Sequence, residues 1–574
     1  MKPLPFAALF GSLHLLLALV VQGSGYPHED AYILFKYARH VAAGLGSVYF
    51  PGGPRVEGAT DFLWMLGLAA LNRAGLEVAL AAAVLSAIGF ALVSRRILIA
   101  VTEEHANATE ALFLSLFFAA LWLVHPASVA GALGFSATLF AALSLELYVA
   151  LTKSRPMAVL GFATVLALLR PDGVVLGAAS VAVAALYAWR NGPRRRFFLS
   201  LVGALSLGAA YFGARARYFD TLLPLPLIVK SHHGPMPPGL WEAADWASST
   251  LLPITIGGVL LAAVTRRYAA PSSAMALAPF VVHVLAVIPS FPSQNIANRF
   301  QAPFAVVLFF LLCKMAAYAV ERHRRATPVA RAARAFAVLG LAVVVLAPQG
   351  LVAFRALREP FLPDYVNPFS VHLAKLSEQR TRGGAPPLKV ASTEAGRILY
   401  FTQGPVLDLV GLNSRETAER APSRALLEAF DADVIMFHHA SGMNEDQMEA
   451  TGVDVFGKGP PTTTTPVVRL TEPLWRYVHP WNALYLDAAL KPYRELFADN
   501  VRVAPIATAG WLDEVGDRYE HYAVRFEARF ARRHVYAIRR GLREREAILM
   551  ELFRCHEPLL HGSHWAAVKL LRRE

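Results

Sequence analysis

Cysteine is nearly missing from this sequence: Cys313 and Cys555 are the only two, and they form no paired or ligand-type motif. Neither a disulfide framework nor a cysteine zinc site is open to such a chain. Charge is scarce as well, at 17% of residues, where a soluble domain carries about 25%. The scarcity is uneven. Apolar stretches of bilayer length, about 20 residues, recur from residue 6 to about 351, and none follows. These shifts divide the chain into a membrane domain, 1–357, and a C-terminal domain, 358–574, long enough for its own core.

What is present is basic. The net charge is +13 over 574 residues. The excess sits in short loops: Arg95-Arg96, Lys153 with Arg155, Arg190 with Arg194 to Arg196, Arg266-Arg267, and Arg322 through Arg334. Loops of this kind face the cytoplasm and set topology. The membrane half offers no soluble basic face, which argues against nucleic-acid binding.

Placing these clusters and the N-terminus inside predicts spans at 6–22, 78–97, 109–125, 128–151, 156–171, 173–189, 197–214, 248–265, 272–290, 300–320 and 335–354. An odd number of spans puts the C-terminal domain outside the cell. The fold class expected is a polytopic α-helical membrane protein of about 11 spans with an extracytoplasmic α/β domain. The run at 62–71 is too short to span. It reads as a re-entrant or interfacial segment with Trp64 at the boundary. The first run also has the look of a signal peptide, with small residues at 23–25. A retained first span is the expectation, because it holds the acidic residues that follow it.

Those residues open the loop at 22–77. Residues 30–43 carry helical periodicity, with Ile33, Tyr37 and Val41 on one stripe. Glu29 and Asp30 stand at the helix start, where the dipole favours anions. Asp30 reads either as a simple N-cap or as a carboxylate that takes a proton from a hydroxyl. Lys36 and Arg39, three apart, share a neighbouring face and suit a phosphate. Further charged residues fall on the same predicted outer side: Glu57, Arg170, Asp172, Lys230 and Arg299. Charge at bilayer depth is costly and tends to mark function. The bland alternatives are a snorkelling Lys230, an interfacial anchor in Arg299, and a structural Arg170–Asp172 pair. His28 and His40 read as loop polar residues, and His232-His233 lies in a Gly/Pro-rich loop with no further ligand pattern.

Several strings then occur in one order. Glu-Asp-Ala-Tyr-Ile-x-Phe-x-Tyr-Ala-Arg (29–39) is followed by Arg-Val-Glu-Gly (55–58) and Phe-Leu-Trp (62–64). Leu-Arg-Pro-Asp-Gly (169–173) comes next, then Arg-Tyr-Phe-Asp-Thr-Leu-Leu-Pro (217–224) with Lys230. Asn-Arg-Phe-Gln-Ala-Pro (298–303), Ala395-Gly396, Tyr400 and Leu-Asp-Leu-Val-Gly-Leu (407–412) complete the set. Together they resemble GT-C type membrane glycosyltransferases that use polyprenyl-phosphate sugars. The nearest likeness is to the terminal arabinofuranosyltransferase (AftB-like) branch of mycobacterial arabinan synthesis. The chain departs from that branch in having Glu29-Asp30 for its Asp-Asp pair, Asp172 for a Glu, and Ser136 where an acid is usual.

The resemblance implies a polyprenyl-phosphate-linked sugar donor and a cell-envelope glycan acceptor. Transfer would occur on the outer face of a bacterial inner membrane. The sugar would be arabinofuranose or another pentose or hexose. Asp30, with Glu29, would be the catalytic base. Arg39, Lys230 and Arg299, with Arg170 and Lys36 behind them, would hold the donor phosphate. Tyr32, Glu57, Trp64 and Asp172 would position the acceptor. No metal ligand set and no cofactor is required; a divalent cation, Mg2+ or Mn2+, near Glu29 and Asp30 is compatible with the family. The rival readings are a transporter or flippase, and an inactive glycan-binding relative. No internal repeat speaks for the former.

In the C-terminal domain, 388–392, 405–409 and 433–437 read as strands and 424–430 as a helix, an α/β alternation. The Thr462 to Thr465 run is expected as a loop or edge. Residues 539–573 are basic and amphipathic and would rest on the sheet or on anionic headgroups. Trp475, Tyr477, Trp481 and Trp511 suit either the core or a sugar.

Overall fold

The computed structural model describes residues 2–560 except 26, 106, 193, 232–243, 245, 266–270, 289–294, 322–327, 362–365, 421, 438–466, 471–499 and 528–531. The chain packs as two compact units. One comprises 1–28, 61–214 and 235–361; the other comprises 29–60, 215–234 and 362–574.

The first unit is helical. Among the described residues, six helices are long and apolar enough to cross a membrane: Pro3–Gly23, Val78–Glu104, Gly173–Arg190, Arg194–Phe219, Ala302–Glu321 and Phe336–Leu357. A seventh span forms if Ala108–Leu123 and Pro126–Ala132, bent by 60°, count as one. Shorter apolar helices occupy Ala137–Thr152, Pro156–Leu169, Ala247–Leu261 and Met275–Val287. Among the described residues each predicted span falls on helix for most of its length, but six or seven helices, rather than eleven, are long and apolar enough to cross a bilayer.

The expected span at 128–151 is the main departure. It is two helices, Pro126–Ala132 and Ala137–Thr152. Pro126 starts a helix because it lacks only an N–H that the first turn leaves unpaired. The His125 Nδ1 caps that helix by accepting the Ala127 N–H at 3.1 Å. Gly134, at φ +101°, turns the chain between the two in a conformation open mainly to glycine. Small residues set the packing here. A Cβ on Gly89 would lie 2.6 Å from the Leu139 backbone nitrogen, so Val78–Glu104 can approach Ala137–Thr152 closely only without one.

The second unit is built on a six-stranded sheet. Its strands are β1 (Val390–Ser392), β2 (Val406–Asp408), β3 (Val434–Phe437), β4 (Val467–Leu470), β5 (Tyr519–Glu527) and β6 (Arg532–Arg539), in the order β2-β1-β3-β6-β5-β4. β1 pairs parallel with β2 and β3; the remaining pairs are antiparallel. The helix Arg424–Phe430 and the three strands read from sequence in this region are all present. The core gathers Leu407, Leu427, Ile435, Leu512 and Tyr519 with Trp511, which is 3% exposed and therefore packs rather than stacks on sugar. Trp475, Tyr477, Trp481 and the Thr462 to Thr465 run lie outside the described residues. Of the basic tail, the described part is the end of β6 and a helix, Arg545–Leu560; residues 561–573 lie outside the described residues.

The stretches 29–60 and 215–231 pack with this sheet unit. The Leu225 N–H donates to the Glu57 carbonyl at 3.1 Å, and the Ser47 N–H donates to the Tyr218 hydroxyl at 3.1 Å. Arg415 donates to the carbonyl of Phe219 and, at 3.2 Å, to that of Asp220. Three stretches distant in sequence are thereby stitched into one body.

Candidate active site

The helix Ala31–Ala42 carries Tyr32, Lys36 and Arg39 of the expected residues of the sheet unit. Its sequence suits burial on all sides: Ala31, Tyr32, Phe35, Tyr37 and Ala38 are each 4% exposed or less. Asp30 occupies its N-cap position and is half-buried, but its side chain makes no capping bond. Its carboxylate is not committed to the helix it precedes.

Glu29 caps a different helix. Its Oε1 accepts the N–H of Gly396 and, at 3.2 Å, that of Arg397, at the start of Arg397–Phe401. The other end of that short helix meets two cations. The Lys36 ammonium donates to the Leu399 carbonyl and, at 3.1 Å, to that of Thr402. Arg39 donates to the Tyr400 carbonyl at 3.0 Å and lies over the Tyr400 ring at 4.6 Å. An acid at the positive end and two bases at the negative end complement the helix dipole. Burial, then the neighbouring Asp30 charge, push the Glu29 carboxyl up to about 7.

Several expected roles change in this setting. Lys36 is fully buried and bonded to carbonyls, so it leaves the phosphate-binding set. Burial, then the Arg39 charge, drive its pKa well below the usual lysine range. Tyr32 is core: it is 4% exposed and its ring centroid lies 4.9 Å from that of Tyr400. Glu57 forms a buried ion pair with Arg215, near the end of Arg194–Phe219, and so braces its loop against that helix end rather than holding an acceptor. Lys230 lies in the helix Leu225–Ser231, and its side chain is outside the described residues. Of the unit's expected groups, Asp30 and Arg39 keep partial exposure alongside Glu29.

The membrane unit holds the remaining expected residues. Trp64 is 1% exposed within Phe62–Arg73 and is core, not an acceptor platform. Arg170, 4% exposed, makes a two-pronged contact with Asp172 at 2.9 and 3.3 Å. It also donates to the Ser136 hydroxyl at 3.4 Å and lies 3.7 Å from Asp61. Ser136 in turn donates to Asp61 at 2.6 Å. His283 Nε2 reaches Asp172 at 3.3 Å. The structural reading of the Arg170–Asp172 pair therefore holds, and Asp61 sets a carboxylate beside position 136, which carries no acid of its own. Arg299 is 8% exposed and lies over the Phe135 ring at 3.8 Å.

Sequence reasoning missed three features. It did not foresee Arg397–Phe401 as the partner of Glu29, Lys36 and Arg39. It did not pair Asp61 with Ser136. It also gave no role to Asp408, whose fully buried carboxylate accepts the N–H groups of Val410, Gly411 and Asn413 at 3.0, 3.1 and 2.8 Å. The Leu407 to Leu412 string carried the signal for that last feature, since an Asp with a glycine three residues on suits a loop wrapped on a carboxylate.

The family model described as a domain of unknown function (DUF8728) matches residues 371–503. No curated protein matches the chain by sequence. Among solved structures the chain is similar to ArnT from Cupriavidus metallidurans in the apo state, at 14% identity and a TM-score of 0.44. That match covers 75% of this chain and 92% of that one. The same protein bound to undecaprenyl phosphate is similar at 12% identity and a TM-score of 0.42, with the same coverage. The Archaeoglobus fulgidus oligosaccharyltransferase, in complex with Zn and sulfate, is similar at 13% identity and a TM-score of 0.40, over 75% of this chain and 68% of that one. Likenesses of this degree assign neither a substrate nor a residue role.

Proposed function

We propose that the chain is a GT-C type membrane glycosyltransferase that moves a sugar from a polyprenyl phosphate to a cell-envelope glycan. The ordered motifs at 29–39, 55–64, 169–173, 217–230, 298–303 and 395–412 support this reading. The observation that carries it is the division of labour in the acidic pair. Glu29 is bonded to backbone amides of 396–397, whereas the Asp30 side chain does not cap the helix that it precedes. A carboxylate at a helix start with no capping duty suits proton transfer.

Asp30 would remove the proton from an acceptor hydroxyl as its oxygen attacks the anomeric carbon of the donor. The bond from that carbon to the phosphate oxygen breaks, and the polyprenyl phosphate leaves with the electron pair. Arg39 and Lys230, from the same unit as Asp30, are assigned to the charge that develops on the phosphate. A phosphate role for Arg299 rests on the sequence resemblance alone. Arg170 is given no such role, because Asp61 and Asp172 already balance it. Chemistry on the outer face, with arabinofuranose among the candidate sugars, follows the sequence resemblance.

The test is incubation of the purified full chain with polyprenyl-phosphate sugars carrying labelled pentoses or hexoses. Transfer of label to a glycan acceptor is the expected result. Movement of labelled lipid across vesicles without transfer would instead make the chain a flippase.

A further inference from the structure

We infer that Arg194, Arg195 and Arg196 form a headgroup site for one anionic phospholipid at the end of the span Arg194–Phe219. None of these residues belongs to the proposed transfer chemistry, so the inference does not rest on it. From residue 173 to 219 the chain holds arginines but no Asp or Glu. Arg190 and the three arginines crowd the short connection between the spans Gly173–Arg190 and Arg194–Phe219. Topology needs only the charge of such a cluster, and the structure adds a shape to it.

Arg194, Arg195 and Arg196 are exposed, and among the described residues none of them is paired with a carboxylate. Basic residues elsewhere in the membrane unit have acidic partners: Arg96 is paired with Glu146, and Lys314 with Glu104 at 3.2 Å. The three arginines line a cleft of about 590 Å3 together with Leu199 and Ser200, about one turn further along the same helix. Guanidinium groups present forked donors that match phosphate oxygens, and the Ser200 hydroxyl adds another donor. Leu199, 62% exposed, continues the cleft onto the apolar surface of the span, where an acyl chain lies. A free phosphate ion would use the cations but gain nothing from that apolar wall, so the cleft favours a lipid.

Trp189 sets the depth. It is 59% exposed, and its ring lies 5.0 Å from the Arg194 guanidinium carbon and 6.4 Å, edge on, from the Phe198 ring. An exposed tryptophan at a span end marks the headgroup level, so the guanidinium groups stand where lipid phosphates are. The charge pattern assigns this loop to the cytoplasmic side, and basic clusters beside a span on that side attract anionic headgroups.

The test is titration of the purified full chain, in a neutral detergent, with phosphatidylglycerol, phosphatidylcholine or inorganic phosphate. Melting temperature and lipid retained per chain in native mass spectrometry are the readouts. Retention of one phosphatidylglycerol with a raised melting temperature is expected, and neither effect from phosphatidylcholine or phosphate. The triple variant Arg194→Gln, Arg195→Gln, Arg196→Gln should bind more weakly, by roughly fivefold for each arginine removed. Lys153→Gln with Arg155→Gln, in a different basic loop, should bind as the parent does. Should the triple variant fail to insert, Arg195→Gln with Arg196→Gln, which keeps Arg190 and Arg194, decides. Equal retention of phosphatidylcholine, an equal effect of phosphate, parent affinity in the arginine variants, or an equal loss in the variant at 153 and 155 overturns the site.

Discussion

Glu29 holds the backbone of Gly396 across more than three hundred residues of sequence, its Oε1 accepting the Gly396 N–H. The fit leaves no room for a side chain: a Cβ on Gly396 would lie 2.1 Å from Glu29 Oε1 and 2.2 Å from the Glu29 carbonyl oxygen. Gly396→Ala must therefore move backbone, not just a flexible tip. Overpacking of this kind costs about 1–3 kcal/mol or more. We expect a lower melting temperature and lost transferase activity together, read by thermal unfolding and label transfer on the same preparation.

Lys36 separates a structural from a phosphate-binding role. Lys36→Ala leaves two buried carbonyls, Leu399 and Thr402, without their donor. Each such loss costs about 1–3 kcal/mol. The expected outcome is a clear drop in stability by denaturant unfolding. A raised KM for the lipid donor with unchanged stability would restore Lys36 to the phosphate site.

Stability should fall as pH rises from about 4.5 to 7. In that window folded Glu29 keeps the proton that its unfolded form has released, because its carboxyl is pushed up to about 7. The native state then binds more protons, so each step up in pH favours unfolding. Asp408, pushed up to about 6 by burial, acts in the same direction from about 4 upward. Melting temperatures across this range should decline for the parent and flatten in Glu29→Gln.

Arg170 ranks its two acidic partners. Asp172 grips it at 2.9 and 3.3 Å and also meets His283, whereas Asp61 lies 3.7 Å away. Removing one partner of a buried pair costs about 3–5 kcal/mol. Asp172→Ala should approach that range and Asp61→Ala should cost less, as read by the melting temperatures of the two variants.

The sequence disclosed features that follow from local pattern. Apolar runs located the helices, and short β-branched runs located β1, β2 and β3. Single glycines changed the rest: Gly134 divides one expected span into two helices, a break that hydropathy alone does not register. The hairpin of β5 and β6 was not read, because its charged residues mask the alternation of strands. Site residues were legible as a set of charges but not as pairs. Nothing local to Lys36 announces that its partners are the carbonyls of Leu399 and Thr402, and nothing local to Ser136 announces Asp61. Those pairings are made by the fold over separations that spacing rules do not reach.

The central claim is that Asp30 is the base of a glycosyl transfer. Its direct measurement is kcat for label transfer from polyprenyl-phosphate sugar by the parent and by Asp30→Asn, with melting temperature as the control for folding. Loss of a general base lowers the rate about 10²–10⁴-fold, and a fall of that size at an unchanged melting temperature is the predicted result. A folded Asp30→Asn protein that transfers sugar at the parent rate would contradict the account.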